Sequence, residues 1–331
     1  MKMLDYNSMP AYLRDFLIYS SSILNKSQLT VNEQYLDIRT FYRYLLLSRG
    51  LVDSSIDFEK IDITEFNEEI LKSVSLNDIY MFLIFCKDVR NNSAKTRARK
   101  CSTIRTYFKF LTNNKNVLST NPAALLDTPK TQQEIPKFLS LEESVDLLSS
   151  IDGKNYERDY CIITLFLNCG IRLSELCAIN LSDIKDDTLK VTGKGNKQRI
   201  VYLNSACKNA IDAYLKVRPV DGIPATDKNA LFISQQRRRI SNKTVQHIVY
   251  KFIDKSGLGG KGYSVHKLRH TAATLMYQHG NVDIRVLKDI LGHVNLNTTQ
   301  IYTHISNQQI EKAINLNPLA KIKTENKKKE Q

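Results

Sequence analysis

Through most of the first 125 positions, apolar residues recur at helical spacing. Tyr35, Ile38, Phe41, Tyr42 and Leu45 fall on one stripe, the pattern of a helix that faces a core. Thr30 and Glu33 have the spacing of a capping box and predict the start of this helix, and Gly50 predicts its end. A second run carries Ile79, Phe82, Leu83 and Cys86 and opens at Ser75, with Asp78 three residues on. A third starts near Ser93 and runs through TRARKCSTIRTYFKFL. No alternating strand pattern precedes residue 185.

Between Leu126 and Phe138 the pattern breaks. DTPKTQQEIPKF holds two prolines and no apolar period, which marks an exposed linker and a domain boundary. Ser140 and Glu143 then form a second capping box. The buried-type helix that includes TLFLNC ends at Gly170. TLKVT over 188–192 alternates, GKGN turns, and Arg199 to Leu203 alternates again, which predicts a β-hairpin. LFIS at 231–234 is expected as a third strand, and helices are expected over 241–256, 266–279, 283–291 and 297–315. The expected fold class is therefore mainly α. A helical domain spans 1–128, a linker 129–138, an α+β domain with a small hairpin or sheet 139–320, and a disordered basic tail 321–331.

Composition adds a partner class. The 331 residues allow about two domains at roughly 150 residues each. Lys and Arg outnumber Asp and Glu by 48 to 34, a net charge of +14, which favours nucleic acid or an anionic membrane surface. The apolar run from Ile79 to Cys86 is too short to span a bilayer. The N-terminus lacks the apolar region of a signal peptide, and the six cysteines show no CxxC pair. No membrane anchor and a cytoplasmic location are expected.

Charge placement separates the two partners. Residues 87–115 hold nine basic side chains and one acid, Asp88. Lys95, Arg97, Arg99, Lys100 and Arg105 lie on the predicted helix in this segment. Across the linker, Arg239 precedes Ser241, a predicted N-cap, and Lys243 and Thr244 follow in the first turn. Neither helix pairs its charges with a large apolar face, so double-stranded DNA is the expected partner and these eight residues its expected contacts.

Four short strings carry the chemistry. In GIRLSEL, Arg172 opens a helix with Glu175 three residues on; the pair reads either as a structural ion pair or as a guanidinium aimed at phosphate with Glu175 behind it. In GKGNK, Lys194 sits at a glycine-flanked turn and can serve as a general acid; the loop is not a Walker A motif. In SVHKLRH, His266 and Arg269 share a helix face. A zinc reading of His266 and His270 fails because Lys267 stands where a zincin needs Glu. Last, LGH brings His293, followed nine residues later by Tyr302.

The strings GIRLSEL, GKGNKQR, HKLRHTAATL, LGH and IYTH together resemble the tyrosine site-specific recombinases of the phage integrase family, most of all the bacterial Xer type. The resemblance extends to the basic helix and NPAALLDTPK of the first domain. It implies a SAM-like core-binding domain before a catalytic domain of the DNA breaking-rejoining type. It implies an active site of Arg172, Lys194, His266, Arg269 and His293 with Tyr302 as nucleophile, and no metal or cofactor. It further implies self-assembly on a specific recombination site into a tetrameric synapse, alone or with a paralogous recombinase. Chromosome or plasmid dimer resolution is the expected role, with integration or excision of a mobile element as the alternative. A type IB topoisomerase and a non-cleaving DNA-binding protein are the rivals outside this group. Residues 51–74 depart from the resemblance, being longer and more acidic than a minimal Xer protein needs.

Overall fold

The structure, a computed structural model, describes residues 4–64, 66–130, 137–279 and 282–292. The chain divides into two compact units, Met1–Gln133 and Glu134–Gln331. No helix among the described residues is long and apolar enough to cross a membrane.

The first unit is helical: α1 (Ala11–Ser22), α2 (Gln28–Ser48), α3 (Glu68–Lys72), α4 (Leu76–Asp88) and α5 (Ala94–Asn113). Ser75 and Asp78 form the expected capping box of α4, and the Ser93 hydroxyl caps α5. Helix α2 begins earlier than expected. Ser27, not Thr30, is its N-cap and accepts the Thr30 amide at 3.3 Å, since it offers the same hydroxyl one turn earlier and lets Val31 reach the core in helical geometry. The core is aromatic: Phe41 meets Phe82 edge-on at 5.0 Å, and the hydroxyls of Tyr42 and Tyr107 are hydrogen-bonded to one another. The acidic insert belongs to this core. Ile61, Ile63 and Phe66 are buried, Phe66 stacks on Tyr42, and Arg43 donates to Glu59 at 2.7 Å and to the Ile61 carbonyl at 3.0 Å.

The second unit is built on α7 (Tyr156–Cys169), which follows α6 (Leu141–Ser149) and is nearly all buried. The Ser140–Glu143 capping box starts α6 as expected. After the short α8 (Leu173–Ala178) come β1 (Ile184–Lys185), β2 (Thr188–Thr192) and β3 (Gln198–Tyr202), an antiparallel sheet in the order β1-β2-β3. The hairpin register runs from Thr188 opposite Tyr202 to Thr192 opposite Gln198. Helices α9 (Ser205–Val217), α10 (Asn242–Lys255), α11 (Val265–His279) and α12 (Ile284–Leu291) complete the described part. Helices α9 and α11 pack on α7.

The third strand is not LFIS but Ile184–Lys185, turned tightly onto β2 through Asp186 in the left-handed region. Residues 231–234 make only an isolated bridge, Ile233 with Arg239. Their edge is already occupied: Arg218 donates to the Ala230 and Leu231 carbonyls, and the Leu231 amide donates to the Ile179 carbonyl at 2.9 Å. The expected helix 297–315 and the basic tail lie outside the described residues.

Candidate active site

Helix α7 ends at Gly170, whose φ of 57° is the left-handed conformation that glycine adopts freely. A Cβ there would come within 2.9 Å of Leu291 Cδ2, so a side chain would displace the end of α12. The reversal puts Arg172 at the N-cap of α8. Its backbone amide donates to Glu175 Oε2 at 2.8 Å and its Nη1 to Glu175 Oε1 at 2.6 Å. Its Nη2 donates to the Gly292 carbonyl at 3.1 Å. The side chain remains 37% exposed, enough to meet a ligand.

Arg269, on α11, is buried beside it. Nη1 donates to the Gly170 carbonyl at 2.5 Å and Nη2 to the Leu291 carbonyl at 2.6 Å. A third guanidinium, that of Arg199 on β3, takes both oxygens of Glu175 at 2.7 and 2.9 Å and the Ile290 carbonyl at 3.2 Å. The carbonyls of Ile290, Leu291 and Gly292 thus each accept from a different arginine. This is the negative end of the α12 dipole, and three cations compensate it.

Glu175 is fully buried. Burial pushes its carboxyl up, but the bonds from Arg199 and Arg172 outweigh that and hold it down at about 2. It is therefore a carboxylate throughout the physiological range.

His266 lies exposed in the first turn of α11, with its ring centroid 4.6 Å from that of His270, edge-on. Lys194 opens the turn Lys194–Asn196. Just before it, the Gly193 amide donates to the Lys197 carbonyl at 2.8 Å, and a Cβ on Gly193 would lie 3.1 Å from Glu175 Oε1. The hairpin turn is thereby closely packed on the Arg172–Glu175 pair. The side chain of Lys194, and His293 and Tyr302 entirely, lie outside the described residues. Of the expected set, the structure brings together Arg172, Glu175 and Arg269.

Arg199 was not among the expected site residues. The signal was its parity: it shares the strand face of Val201, which is buried, and an arginine on a buried face needs a partner. Exposed Ile200 and Tyr202 on the opposite face obscured that reading.

The expected DNA contacts separate into two groups. Lys95 and Lys243 are exposed in the first turns of α5 and α10, and Arg97 is half-buried on α5. Arg99 is half-exposed but ion-paired with Glu33 and Asp37. Thr244 shares its hydroxyl with the Ser241 cap at 2.9 Å. Three are engaged within the fold. Lys100 is buried, 3.0 Å from Asp37, because α5 turns this position toward α2. Arg105 spends its guanidinium on the Leu126 carbonyl and on Thr128 Oγ1 at 2.8 Å. Arg239 spends its own on the carbonyls of Cys177 and Ile179 and on Asn180 at 2.7 Å. On α10, His247 and Lys251 repeat the spacing of Lys243 and were missed. They line, with Arg158, Gln235, Arg238 and Thr244, an open cleft of about 590 Å³. Among the described residues no group of three His, Cys, Asp or Glu side chains is placed to hold a metal ion.

Residues 137–309 match the phage integrase family. Over 311 residues the chain is 51% identical to the tyrosine recombinase XerC of Caldanaerobacter subterraneus subsp. tengcongensis, spanning 94% of this chain and 88% of that protein. It is 32% identical to the tyrosine recombinase XerD of Proteus mirabilis, spanning 83% and 90%. In fold it resembles the XerH site-specific recombinase in a post-cleavage complex with palindromic difH substrate, with a TM-score of 0.69, 21% identity and coverage of 92% and 94%. A lambda integrase fragment bound as a dimer to a core site gives 0.62 at 19% identity, covering 86% and 96%. The chain belongs to the phage integrase family, and within it to the tyrosine recombinases, where it is similar to Xer-type members.

Proposed function

We propose that this tyrosine recombinase cuts and rejoins duplex DNA at a specific site with Tyr302 as its nucleophile, and that its role is the resolution of chromosome or plasmid dimers. The observation that carries the catalytic reading is the convergence of Arg172 and Arg269 on the end of α12, immediately before His293 in the chain. Two guanidiniums bonded to successive carbonyls at the end of one helix form a site for one phosphate whose charge grows in a pentacovalent transition state, and their planar forks bind phosphate oxygens in pairs.

The phenolic oxygen of Tyr302 attacks the scissile phosphorus and its proton passes to His266. The P–O5′ bond breaks, and the leaving oxygen takes a proton from Lys194 and departs as a 5′-hydroxyl. Charge developing on the non-bridging oxygens is met by Arg172, Arg269 and His293. The product is a 3′-phosphotyrosyl linkage, which conserves the phosphodiester energy. Attack by a 5′-hydroxyl of the partner strand reverses each step. No nucleotide hydrolysis enters the balance.

In the same reading, residues 1–128 form a core-binding domain, 129–138 the tether, 139–320 the catalytic domain and 321–331 a basic tail. Exposed Lys95 and Lys243 meet DNA phosphates. The protein acts in the cytoplasm, assembling on its site as a tetramer with itself or with a paralogue. The apolar stripe Ile310, Ala313, Ile314 and Leu316 docks on a neighbouring protomer.

The test is incubation of the full chain with nicked suicide duplexes cut from the genomic fragments it retains. A protein–DNA adduct that survives denaturing electrophoresis and disappears in Tyr302→Phe supports the reading. Retention of fragments without any adduct would leave a non-cleaving DNA-binding protein instead. Relaxation of supercoils on DNA of any sequence, without strand exchange, would make it a topoisomerase.

A further inference from the structure

Arg199 has no assigned part in the reaction, yet its side chain donates three hydrogen bonds to the site's framework where the side chain of Arg172 donates two. Its side chain is only 15% exposed. Both oxygens of Glu175 that it engages also hold Arg172, Oε1 through Nη1 and Oε2 through the backbone amide. One buried carboxylate therefore links a guanidinium on the hairpin to a guanidinium at the phosphate site. The Arg199 Nε bond to Ile290 ties the same hairpin to the last turn of α12. Gly292 completes the fit: a Cβ there would lie 2.9 Å from Arg199 Cδ, so the chain leading to His293 passes directly against the arginine stem.

Stability alone does not call for this arrangement. A buried ion network is often matched or exceeded in stability by apolar side chains of similar volume. What an apolar side chain cannot do is orient Arg172. The neighbouring positions Val191, opposite in the hairpin, and Val201, two residues on, show that the same face accepts valine.

We infer that Arg199 is a positioning residue for strand cleavage: acting through Glu175 it sets the direction in which Arg172 presents its guanidinium to the scissile phosphate, and through Ile290 it sets the end of α12. The inference rests on the proposed function. A lysine at this position carries the charge but has a single compact ammonium, which cannot span both Glu175 oxygens and the Ile290 carbonyl. A displacement of about 1 Å at a reacting centre costs on the order of 100-fold in rate.

The experiment is single-turnover adduct formation by Arg199→Lys on three nicked duplexes. One carries the normal scissile phosphate, the others the Rp or the Sp phosphorothioate, which place sulfur on one or the other non-bridging oxygen. We expect a rate loss of about 10- to 100-fold on the normal phosphate, with the duplex Kd unchanged. We also expect the ratio of the Rp to the Sp rate to shift at least about threefold, because the donors that discriminate the two oxygens have turned. This ratio does not depend on how much protein is active. A loss that leaves the ratio at its wild-type value is a packing defect and overturns the inference, as does an unchanged rate. Arg199→Gln provides the same comparison if the lysine variant does not fold. Wild-type protein that forms no adduct on any of the three duplexes would instead count against the proposed function.

Discussion

Arg269 on α11 donates to the carbonyl of Gly170 at 2.5 Å, so a buried guanidinium is fastened to the residue at which α7 ends, two positions before Arg172. The opposite nitrogen donates to Leu291, near the end of α12. Three helix ends thus meet on one planar group. Their mutual geometry is set by the 120° fork of the guanidinium rather than by side-chain packing alone.

Replacing that fork is expected to cost both stability and rate. In Arg269→Lys one ammonium cannot serve two carbonyls on different helices, and one acceptor is left buried without a donor. The expected destabilisation is about 1–3 kcal/mol. Adduct formation is expected to fall at least about 100-fold, as for loss of a donor to a transition-state oxygen. Urea unfolding and single-turnover cleavage measure the two effects. A variant of wild-type stability that cleaves at the wild-type rate would refute both.

Gly170 offers a cleaner comparison because two costs can be separated. Gly257→Ala places a side chain at φ 74° with open space around it, so only the backbone term applies, about 1–2 kcal/mol. Gly170→Ala adds the approach to Leu291 Cδ2 at 2.9 Å, which requires α12 to shift, for a further cost of about 1–3 kcal/mol. Unfolding midpoints of the two variants should therefore separate, with Gly170→Ala lower. Equal midpoints would mean that the end of α12 yields freely.

Helix boundaries and the catalytic strings were legible because each rests on local chemistry. Ser75, Ser93 and Ser140 each cap a helix with their own hydroxyl, and Gly170 ends α7 by its own φ. Arg172 and Glu175, three residues apart, were placed together by helical spacing. Long-range partners were not legible. Lys100 read as part of a basic surface because nothing near it in sequence announces Asp37, 63 residues earlier. Arg239 and Arg105 donate to backbone carbonyls, acceptors that every residue carries and no sequence distinguishes. LFIS had the composition of a strand, but its place beside a partner was taken by Arg218 and the turn at Ile179.

The contrast between Lys95 and Lys100 can be read in salt dependence. Lys95 is exposed, whereas Lys100 is buried on Asp37. Lys95→Ala is expected to lower the slope of log K against log salt by about 0.9, the release of one counterion. Lys100→Met should leave that slope at its wild-type value. Removing the lysine strands the Asp37 carboxylate with Arg99 and Thr103 alone, so stability should drop by about 1–3 kcal/mol instead. Fluorescence anisotropy over a range of salt, with urea unfolding of the same preparations, checks both. A lowered slope for Lys100→Met would restore it as a DNA contact.

Assembly makes its own prediction. If the stripe Ile310, Ala313, Ile314 and Leu316 docks on a neighbour, ending the chain after Asn307 removes that docking and retains Tyr302. Binding of a single site is expected to persist within about threefold, while recombination between two sites is lost. Gel shift and strand-exchange assays report these separately. Recombination at the wild-type level by the shortened chain would sink the docking role.

Glu175 ties the site to acid stability. Its carboxyl lies at about 2 in the fold against an ordinary 4.5, with the bonds from Arg199 and Arg172 prevailing over burial. A group whose value is depressed on folding stabilises the fold in full only while it is charged in both states. Its contribution is therefore complete above about pH 5 and declines as pH falls through 4.5 toward 2. The depression corresponds to about 3 kcal/mol at neutral pH. Glu175→Gln keeps the shape and removes the charge. It leaves the Arg172 and Arg199 guanidiniums facing a neutral amide, so at pH 7 it should lose about that much stability. The gap between wild type and variant should narrow steadily from pH 5 downward, because the unfolded wild-type chain takes up a proton at this carboxyl that the folded chain does not. Urea unfolding of both proteins from pH 7 to pH 3 measures the gap. A constant difference across that range would show that Glu175 stabilises by shape alone, and that its charge does not hold the two arginines.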